Sequence, residues 1–370
     1  MPNHIDAVMN AAIDRQSIVG GELVVARHGD IVCRKTAGWF DRESGVPMID
    51  NAIYRLASVT KPIVAATALA MVDKGLIHFN DPVAQYLPWF TPPAPDGSKA
   101  EITIHHLLTH TAGLDYAYPD DPDITTGLGA TEMSLEENFS RVARLPLQYV
   151  PGTQWLYSVA IDVLGAVLAQ VHSGSVEDAV RFHITGPLGM ADTGFFVADR
   201  SRLAKPYADG VAGGPAIVMG DPQMVPNETG QGPTFSPSRI FNEKAFQSGG
   251  AGMAGTPGDL LRFFEAMRNG GGGAVRPDTI ALAFSNRIGD LKRDDAGQRF
   301  GYLGAIIDDP VAANSLSAKG TVNWGGVYGH SWLVDPANGL TIVSMTNTAL
   351  EGCTGQYPKD LIRAVYADLT

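Results

Sequence analysis

The chain has 370 residues, of which 45% are apolar, and its formal net charge at pH 7 is −12. This length usually corresponds to two or three structural units, and this apolar fraction is enough for a proper core, which excludes a disordered protein. The negative charge disfavours contact with phosphate groups, so we expect no nucleic-acid partner and no membrane partner. The longest mainly apolar run, 62–72, is much shorter than the ~20 residues of a membrane-spanning helix.

The N-terminus and the cysteines predict a cytoplasmic protein. Residues 1–16 include His, Asp and Arg and lack the apolar centre of a secretory signal peptide. Cys33 and Cys353 are too few for a disulfide framework or a zinc site, and free thiols are typical of a reducing compartment. One bridge between Cys33 and Cys353 is the alternative, because both lie in segments that we assign below to one sheet.

The first half of the chain is predicted to be mainly helical after an N-terminal hairpin. An amphipathic helix is predicted at 5–15, and two strands at 22–27 and 31–39 flank a short turn. The next helix, 59–74, is almost entirely apolar and should be buried on every side, with Gly75 as its C-terminal cap. Further helical patterns follow at 104–108, 134–144, 160–171 and 176–184.

The second half begins with a segment, 206–237, that is rich in Gly, Pro, Asn and Asp and has no sustained periodicity. Loops of this length are usually functional lids or disordered, so we predict a long loop or lid there. A Gly-rich turn at 248–259 follows it. The remaining predicted elements are a helix at 260–267, strands at 299–307, 321–324, 328–334 and 340–346, and a final helix at 359–368.

Strands at both ends of the chain and helices between them predict an α+β fold. The early and late strands combine most simply into one antiparallel sheet that the terminal helices flank. We therefore expect a discontinuous sheet domain, formed by 1–57 and 240–370, and a mainly helical domain, 58–239. A cleft between the two domains is the natural place for a ligand.

Ser58 and Lys61 form the most informative local pattern. They lie three residues apart at the start of the apolar helix, so their side chains point the same way. A serine hydroxyl becomes a nucleophile when a base takes its proton, and a buried lysine can be that base when its surroundings disfavour the charged form. The start of the helix also supplies backbone N–H groups that favour an oxyanion. The alternative is a capping serine beside a solvated lysine.

Two later segments carry groups that suit the same chemistry. Tyr157 lies just before an apolar helix, and a phenol beside a lysine can relay a proton, with a core tyrosine as the alternative. Trp324, Gly325 and Gly326 lie on a predicted strand, where glycines permit a ligand to approach the backbone. An N–H group of such a strand can donate to an oxyanion.

These segments and the tract 107–114, Leu-Leu-Thr-His-Thr-Ala-Gly-Leu, resemble the serine β-lactamase and penicillin-binding-protein superfamily. Within it they are most similar to the class C-like family VIII carboxylesterases, of which the lovastatin-type acyltransferases are close relatives. The resemblance covers nearly the whole chain, including the 248–257 turn and the last hairpin. It implies a β-lactamase-like fold and a serine hydrolase that needs no cofactor.

The resemblance also implies roles for individual residues. Ser58 would be the nucleophile, Lys61 its base and Tyr157 the partner acid and base. The backbone N–H groups of Ser58 and Val327 would form the oxyanion hole. Asp162 matches an acidic residue of similar esterases, with support of its helix as the alternative role. The residues implied or expected to bind the substrate are Trp324, Gly325, Gly326, Tyr116, Val159 and His330.

Two departures from the β-lactamase pattern indicate the substrate class. Val159 stands where β-lactamases have the Asn of Tyr-x-Asn, and Trp324-Gly325-Gly326 stands where they usually have Lys-Thr-Gly. Those polar groups hold the acylamino group and the carboxylate of the drug, so recognition of a β-lactam should be poor. We predict a carboxylesterase for small, mostly uncharged esters. The alternatives are an acyltransferase, a D-amino-acid peptidase or amide hydrolase, a weak β-lactamase, and a binding module without turnover.

Three histidines suggest further roles. His106 and His110 are four residues apart on a predicted helix, a spacing that can bind zinc, but the pair encloses no Glu. We therefore predict no metal site. His330 follows the Trp-Gly-Gly strand and either contacts the substrate or lies at the surface.

Overall fold

The structure is a computed structural model that describes residues 3–119, 121–197, 199–227 and 230–369. Its α-helices are α1 (His4–Asp14), α2 (Thr60–Asp73), α3 (Val83–Tyr86), α4 (Ile104–Thr109), α5 (Leu135–Val142), α6 (Ala160–His172), α7 (Val176–Val180), α8 (Pro257–Arg268), α9 (Pro277–Ala283), α10 (Ala349–Cys353) and α11 (Gln356–Leu369). Its strands are β1 (Gly20–Arg27), β2 (Asp30–Asp41), β3 (Val46–Pro47), β4 (Tyr54–Arg55), β5 (Tyr207–Ala208), β6 (Ile217–Val218), β7 (Gln223–Met224), β8 (Thr234–Phe235), β9 (Ala254–Gly255), β10 (Gln298–Phe300), β11 (Ala305–Ile307), β12 (Val322–Gly326), β13 (His330–Asp335) and β14 (Leu340–Thr346).

Eight strands form one antiparallel sheet in the order β10-β11-β12-β13-β14-β1-β2-β3. The N-terminal hairpin joins the C-terminal strands through β1, which pairs with β14 so that Val24 lies opposite Val343. The residues of β14 are buried on both faces of the sheet, including its Thr and Ser residues, and so are nearly all those of β1. The sheet that we predicted from the two ends of the chain is therefore present.

Helices cover both faces of this sheet. On one face α1 packs against α11, and Met9, Leu23 and Val365 belong to one buried apolar cluster. On the other face α8 packs against β1, β13 and β14, and its Phe264 stacks on Trp332 with ring centroids 4.2 Å apart. The larger core lies on this second face and extends into the helical part of the chain. The division of the chain into 1–57 with 240–370 and 58–239 stays a prediction.

Helix α2 is buried along nearly its whole length. It packs against α6 and α7, and every residue from Thr60 to Met71 is buried. The helix ends at Asp73, and Gly75 follows with φ +68°, the left-handed conformation that the predicted cap requires. Because the helix is enclosed, the amine of Lys61 must find its polar partners inside the protein. This requirement connects the fold to the site.

The predicted strand 299–307 is two strands, β10 and β11, joined by a tight turn. The N–H of Gly301 donates to the carbonyl of Gly304 at 2.9 Å. A Cβ on Gly301 would lie 2.3 Å from the carbonyl oxygen of Ala283, so only glycine fits at this corner. The close approach of the C-terminal end of α9 therefore breaks the strand that the apolar pattern predicted.

The segment 206–237 contains short strand pairs, whereas its composition predicted no regular structure. β5 pairs with β6, and β7 pairs with β8. Glu228 and Thr229, within the predicted lid, lie outside the described residues. Strands of only two residues show no detectable periodicity, which explains why the hydrophobic pattern of the sequence did not predict them.

The two cysteines do not form the alternative bridge, because Cys33 and Cys353 are both free. In the described part of the chain, no helix is long and apolar enough to cross a membrane.

Candidate active site

Ser58 lies on a short 3₁₀ helix, Ala57–Val59, that leads directly into α2. Ala57 has φ +45°, a left-handed conformation that is strained for a residue with a Cβ and costs on the order of 1–3 kcal/mol. The strained turn brings Ser58 to the wall of a cleft, while both of its neighbours, Ala57 and Val59, are buried. The expected loop before the helix is therefore a fixed helical turn.

Lys61 lies in the first turn of α2 and is almost completely buried. Its Nζ donates to the carbonyl of Gly250 at 2.7 Å and to Ser58 Oγ at 3.2 Å. The same nitrogen lies 4.8 Å from the ring centroid of Tyr157 and 5.4 Å from that of Tyr116. The structure thus brings the predicted nucleophile and base into direct contact between two aromatic faces.

Tyr157 precedes α6 and lies at the centre of an aromatic cluster. Its ring centroid is 5.0 Å from that of Trp324, 4.7 Å from that of His110 and 5.4 Å from that of Tyr116. Tyr157 Oη accepts a hydrogen bond from Nε1 of Trp324 at 3.1 Å. Trp324 therefore contacts the phenol of Tyr157, and its contact with a substrate stays a prediction.

Two neighbours of Tyr157 have shifted pKa values. Burial raises the pKa of Tyr116 well above its usual range, and the proximity and hydrogen bond of Tyr157 raise it further. Burial lowers the pKa of His110 well below its usual range, and the positive charges of Lys61 and Arg293 add to this. Both groups are therefore neutral at pH 7, so neither places a charge beside the Ser58–Lys61 pair.

Asp162, on α6, supports the turn that holds Lys61. It is fully buried, and its Oδ1 accepts hydrogen bonds from the Ser248 hydroxyl and from the N–H of Gly250, the latter at 3.2 Å. A Cβ on Gly250 would lie 2.3 Å from Asp162 Oδ2, so this contact requires glycine. Burial raises the pKa of Asp162, and the charge of Lys61 opposes that shift. Asp162 and Lys61 thus contact the same residue, Gly250, one through its N–H and the other through its carbonyl.

The corner after β12 runs beside the Ser58 turn. A Cβ on Gly326 would lie 2.3 Å from the carbonyl oxygen of Leu56, and a Cβ on Gly325 would lie 2.7 Å from Cys353 Sγ. The space that the missing side chains of these glycines leave is therefore filled by the Leu56 carbonyl and by Cys353. This corrects the expectation that the glycines make room for a substrate. The next residue, Val327, lines the cleft together with Ser58. The oxyanion hole formed by the N–H groups of Ser58 and Val327 stays a prediction.

Ser58 lies in an open cleft of about 1450 Å³. Most of its walls come from residues 115–133 and 221–238, so part of the predicted lid lines the cleft. Arg141 is the only cation among the described lining residues, and it is paired with Asp121 and Asp123 at 3.2 and 3.5 Å. The cleft is therefore acidic, and the lining acids are Asp115, Asp123, Glu132 and Asp221.

Two predicted substrate contacts lie outside the cleft. Val159 has no exposed surface, because it caps α6 inside the core. His330 is 1% exposed, and its Nε2 donates to the carbonyl of Arg55 at 2.7 Å, while Tyr54 packs edge-on against its ring. His330 supports the chain before the Ser58 turn, and Val159 belongs to the core, which corrects the expectation that they contact a substrate.

Buried His330 predicts a pH dependence of stability. Burial lowers its pKa from 6.5 to about 4. Below pH 6.5 the imidazole of His330 binds a proton in the unfolded chain but stays neutral in the folded chain. The stability present above pH 6.5 is therefore lost as the pH falls toward 4. The loss reaches at most about 3 kcal/mol for this group. His330→Gln keeps an N–H donor for the carbonyl of Arg55. Its free energy of unfolding, measured with urea, should fall less between pH 6.5 and 4.5 than that of the parent protein.

The comparison of the parent protein with His330→Gln isolates the contribution of His330 to the pH dependence of stability. Burial raises the pKa of Glu22 to about 7, and this carboxyl weakens the fold as the pH rises from 4.5 to 7, but it does so in both proteins and cancels. Parallel unfolding curves at every pH would contradict the assignment of a neutral His330.

His106 and His110 do not face a common point. Nδ1 of His106 accepts from the N–H of Thr103 at 3.2 Å, in a capping box at the start of α4. Nδ1 of His110 accepts from the N–H of Ser158 at 3.3 Å, and its ring packs on Tyr157. Within the described ranges, no group of three His, Cys, Asp or Glu side chains could hold a metal ion. The tract 107–114 thus positions the segment before α6.

Comparison with known proteins identifies the family of the chain. The profile of the beta-lactamase family matches residues 5–367. The chain belongs to the beta-lactamase family. This confirms the resemblance to the serine β-lactamase and penicillin-binding-protein superfamily, and it also confirms the predicted fold class.

Members of this family that resemble the chain include esterases and acyltransferases. Esterase EstB of Burkholderia gladioli is 43% identical over 98% of this chain and 94% of its own length. The solved structure of EstCE1, described as a hydrolase with promiscuous acyltransferase activity, has a TM-score of 0.93 and 38% identity and covers 98% of this chain and 97% of its own. Simvastatin synthase (LovD) from Aspergillus terreus, at 20% identity and a TM-score of 0.78 over 99% and 98% of the two chains, shares the fold.

Sequence patterns did not indicate two features of the site. Arg293 lies over the ring of Trp324, and the acidic walls come from two distant loops. Neither has a local signal, because both depend on loops that meet only in the folded chain. For Asp162 the resemblance left two roles open, and the structure adds its hydrogen bond from the N–H of Gly250.

Proposed function

We propose that the protein is a serine carboxylesterase that acts through an acyl-enzyme intermediate. The observation that carries this proposal is the contact of Lys61 Nζ with Ser58 Oγ, 3.2 Å apart, at the wall of an open cleft. A lysine enclosed by apolar helix residues and two aromatic rings is a suitable base for a serine hydroxyl. The identity of 43% with an esterase supports the same conclusion.

The proposed reaction has two steps. Ser58 Oγ attacks the ester carbonyl while Lys61 takes its proton, and the oxyanion binds the backbone N–H groups of Ser58 and Val327. Tyr157 gives a proton to the departing alkoxide, and it recovers one from the ammonium of Lys61. Water then attacks the acyl-enzyme and releases the acid and Ser58. The aromatic cluster holds the phenol of Tyr157 beside Lys61 for this exchange.

The cleft supports an uncharged ester as the substrate. Its acids would repel an anionic ester, and Arg141 is already paired with Asp121. A volume of about 1450 Å³ is larger than a short ester needs, so the cleft also has room for a bulky alcohol or acyl group.

Transfer of the acyl group to an alcohol is a second candidate. EstCE1, at 38% identity, is described as having promiscuous acyltransferase activity. The open cleft beside Ser58 gives an alcohol the same access as water. Product analysis with added alcohol separates the two outcomes, since transfer yields a new ester and hydrolysis yields only the acid.

An intact-mass experiment tests the proposed function. The protein is mixed with a panel of p-nitrophenyl esters and with a serine-directed phosphonate, and the adduct is mapped by peptide digestion. We expect a covalent adduct on Ser58 and none on the Ser58→Ala variant. An adduct on another residue, or turnover without any adduct in trapping experiments, would overturn the mechanism.

Tyr157→Phe should lower kcat for a p-nitrophenyl ester by ~10²–10⁴, the range of one general acid–base group. The ring that packs on Trp324 and Lys61 is retained, so the fold and KM should change little. Tyr118→Phe is a matched control, because that phenol donates to the carbonyl of Asp115 at 2.9 Å. Full activity of the Tyr157 variant would remove this phenol from the mechanism.

We also propose that the enzyme is cytoplasmic and acts on small molecules without a nucleic-acid partner. Its net charge of −12 and pI of about 5.1 support the absence of such a partner. The free thiols of Cys33 and Cys353 support the location.

A further inference from the structure

Arg293 is a buried cation that no step of the proposed reaction uses. It lies in the loop between α9 and β10, and its side chain is 1% exposed. Nη1 donates to the carbonyl of Arg299 at 3.0 Å, and Nη2 donates to Asp295 at 2.7 Å. Its Nε has no partner among the described residues. A guanidinium that is buried with an unsatisfied N–H is costly, so its position needs a reason.

Three aromatic rings surround this guanidinium. Its Cζ lies 4.5 Å from the ring centroid of Trp155 and 5.4 Å from those of Phe300 and Trp324. A cation over an aromatic face is attracted to the ring, most strongly where water is excluded. The guanidinium therefore fixes the plane of Trp324, and its positive field makes the indole N–H a stronger donor.

That indole N–H acts on the proposed acid and base. Nε1 of Trp324 donates to Tyr157 Oη at 3.1 Å. The bond occupies one lone pair of the phenol oxygen, so the O–H of Tyr157 must point elsewhere, and it favours negative charge on that oxygen. A chain of direct contacts thus connects Arg293 to Trp324 and Trp324 to Tyr157.

We propose that Arg293 is a positioning residue that acts through Trp324 to orient Tyr157 and to stabilise negative charge on its oxygen during proton transfer. This proposal rests on the proposed esterase function and concerns a residue outside the cleft. Arg293 does not line the cleft, so its removal should leave substrate binding intact. It should slow the chemical step and change its pH dependence.

The test compares kcat, KM and the pH profile of kcat for a neutral p-nitrophenyl ester. Arg293→Met keeps the length and apolar contacts of the stem but removes the charge. We expect kcat to fall ~10-fold, a loss in the range seen for coupled neighbouring residues, while KM changes by no more than about twofold. The rising limb of the plot of kcat against pH should move to higher pH. Arg293→Lys keeps a cation and should recover much of the parental profile, which a purely structural role would not require.

A double variant decides whether the effect passes through Trp324. Trp324→Phe removes the indole N–H, so adding Arg293→Met to it should cause little further loss of kcat. Arg287→Met is the matched control, because Arg287 lies over Tyr302 at 5.2 Å and should leave the pH profile unchanged. Thermal unfolding of each variant separates loss of fold from loss of rate.

The outcomes distinguish this inference from the function on which it rests. If the parent protein turns over no ester, the proposed function fails. If the parent protein is active and Arg293→Met has the same kcat and pH profile as the parent, only the role of Arg293 is overturned. Multiplying losses in the double variant would also overturn it, because the two residues would then act independently.

Discussion

Replacement of Ser58 by alanine is expected to lower kcat/KM for a p-nitrophenyl ester by ~10⁴ or more, and Lys61→Ala should have a comparable effect. The reason is the direct contact of Lys61 Nζ with Ser58 Oγ, which makes the two residues one functional unit. Once either is removed, the other has no partner for proton transfer. The double variant should therefore be hardly slower than the single variants. Steady-state kinetics on the three variants measure this.

Folding of these variants needs a separate control. Lys61 is buried and its Nζ donates to Gly250, so its removal leaves that carbonyl without this partner. Lys61→Met fills the same space without the amine, and its far-ultraviolet circular dichroism should match that of the parent protein. Residual activity of Ser58→Ala near the parental rate would contradict the mechanism. Losses that multiply in the double variant would show that the two residues act separately.

The second large effect concerns substrate class. A short p-nitrophenyl ester should be turned over with kcat/KM at least ~10³-fold above that for ring opening of a chromogenic cephalosporin, which corresponds to ~4 kcal/mol. The drug carries a carboxylate, and its burial without a cationic partner costs several kcal/mol, while each 1.4 kcal/mol changes the rate tenfold. Trp324 offers an indole where the β-lactamases have a lysine, and Arg141 is already paired.

The walls of the cleft provide a matched variant for this prediction. Glu132 lines the cleft and is exposed, so Glu132→Gln removes one negative charge at little cost to the fold. It should raise kcat/KM for the anionic cephalosporin relative to that for the neutral ester, and added salt should reduce the difference. A cephalosporin opened as fast as the ester is hydrolysed would replace the esterase proposal with a β-lactamase or peptidase.

Much of the fold followed from local pattern. The continuous apolar run of α2, the strands at both ends of the chain and the Ser58–Lys61 spacing each depend on neighbours in sequence, and the structure contains all of them. Family membership followed because three motifs occur in order over nearly the whole chain, and the match over residues 5–367 confirms it. The roles assigned to single side chains stay predictions.

The errors arose where distant segments meet. Gly326 was read as space for a ligand, but the carbonyl of Leu56 occupies that space. His330 and Val159 were expected to contact the substrate, and burial against the Ser58 turn or within the core removes them from the cleft. A sequence shows which residue is small or polar, but only the packing shows what lies opposite it.

The separation of reacting groups from cleft walls has an evolutionary consequence. Ser58 and Lys61 are carried by a helical turn and a helix that the core encloses, whereas the walls of the cleft are mostly connecting segments. Insertions and exchanges in connecting segments disturb a fold far less than changes in its core. One catalytic apparatus can therefore be inherited unchanged while the range of accepted esters diverges, and libraries that aim at new substrates should vary 115–133 and 221–238.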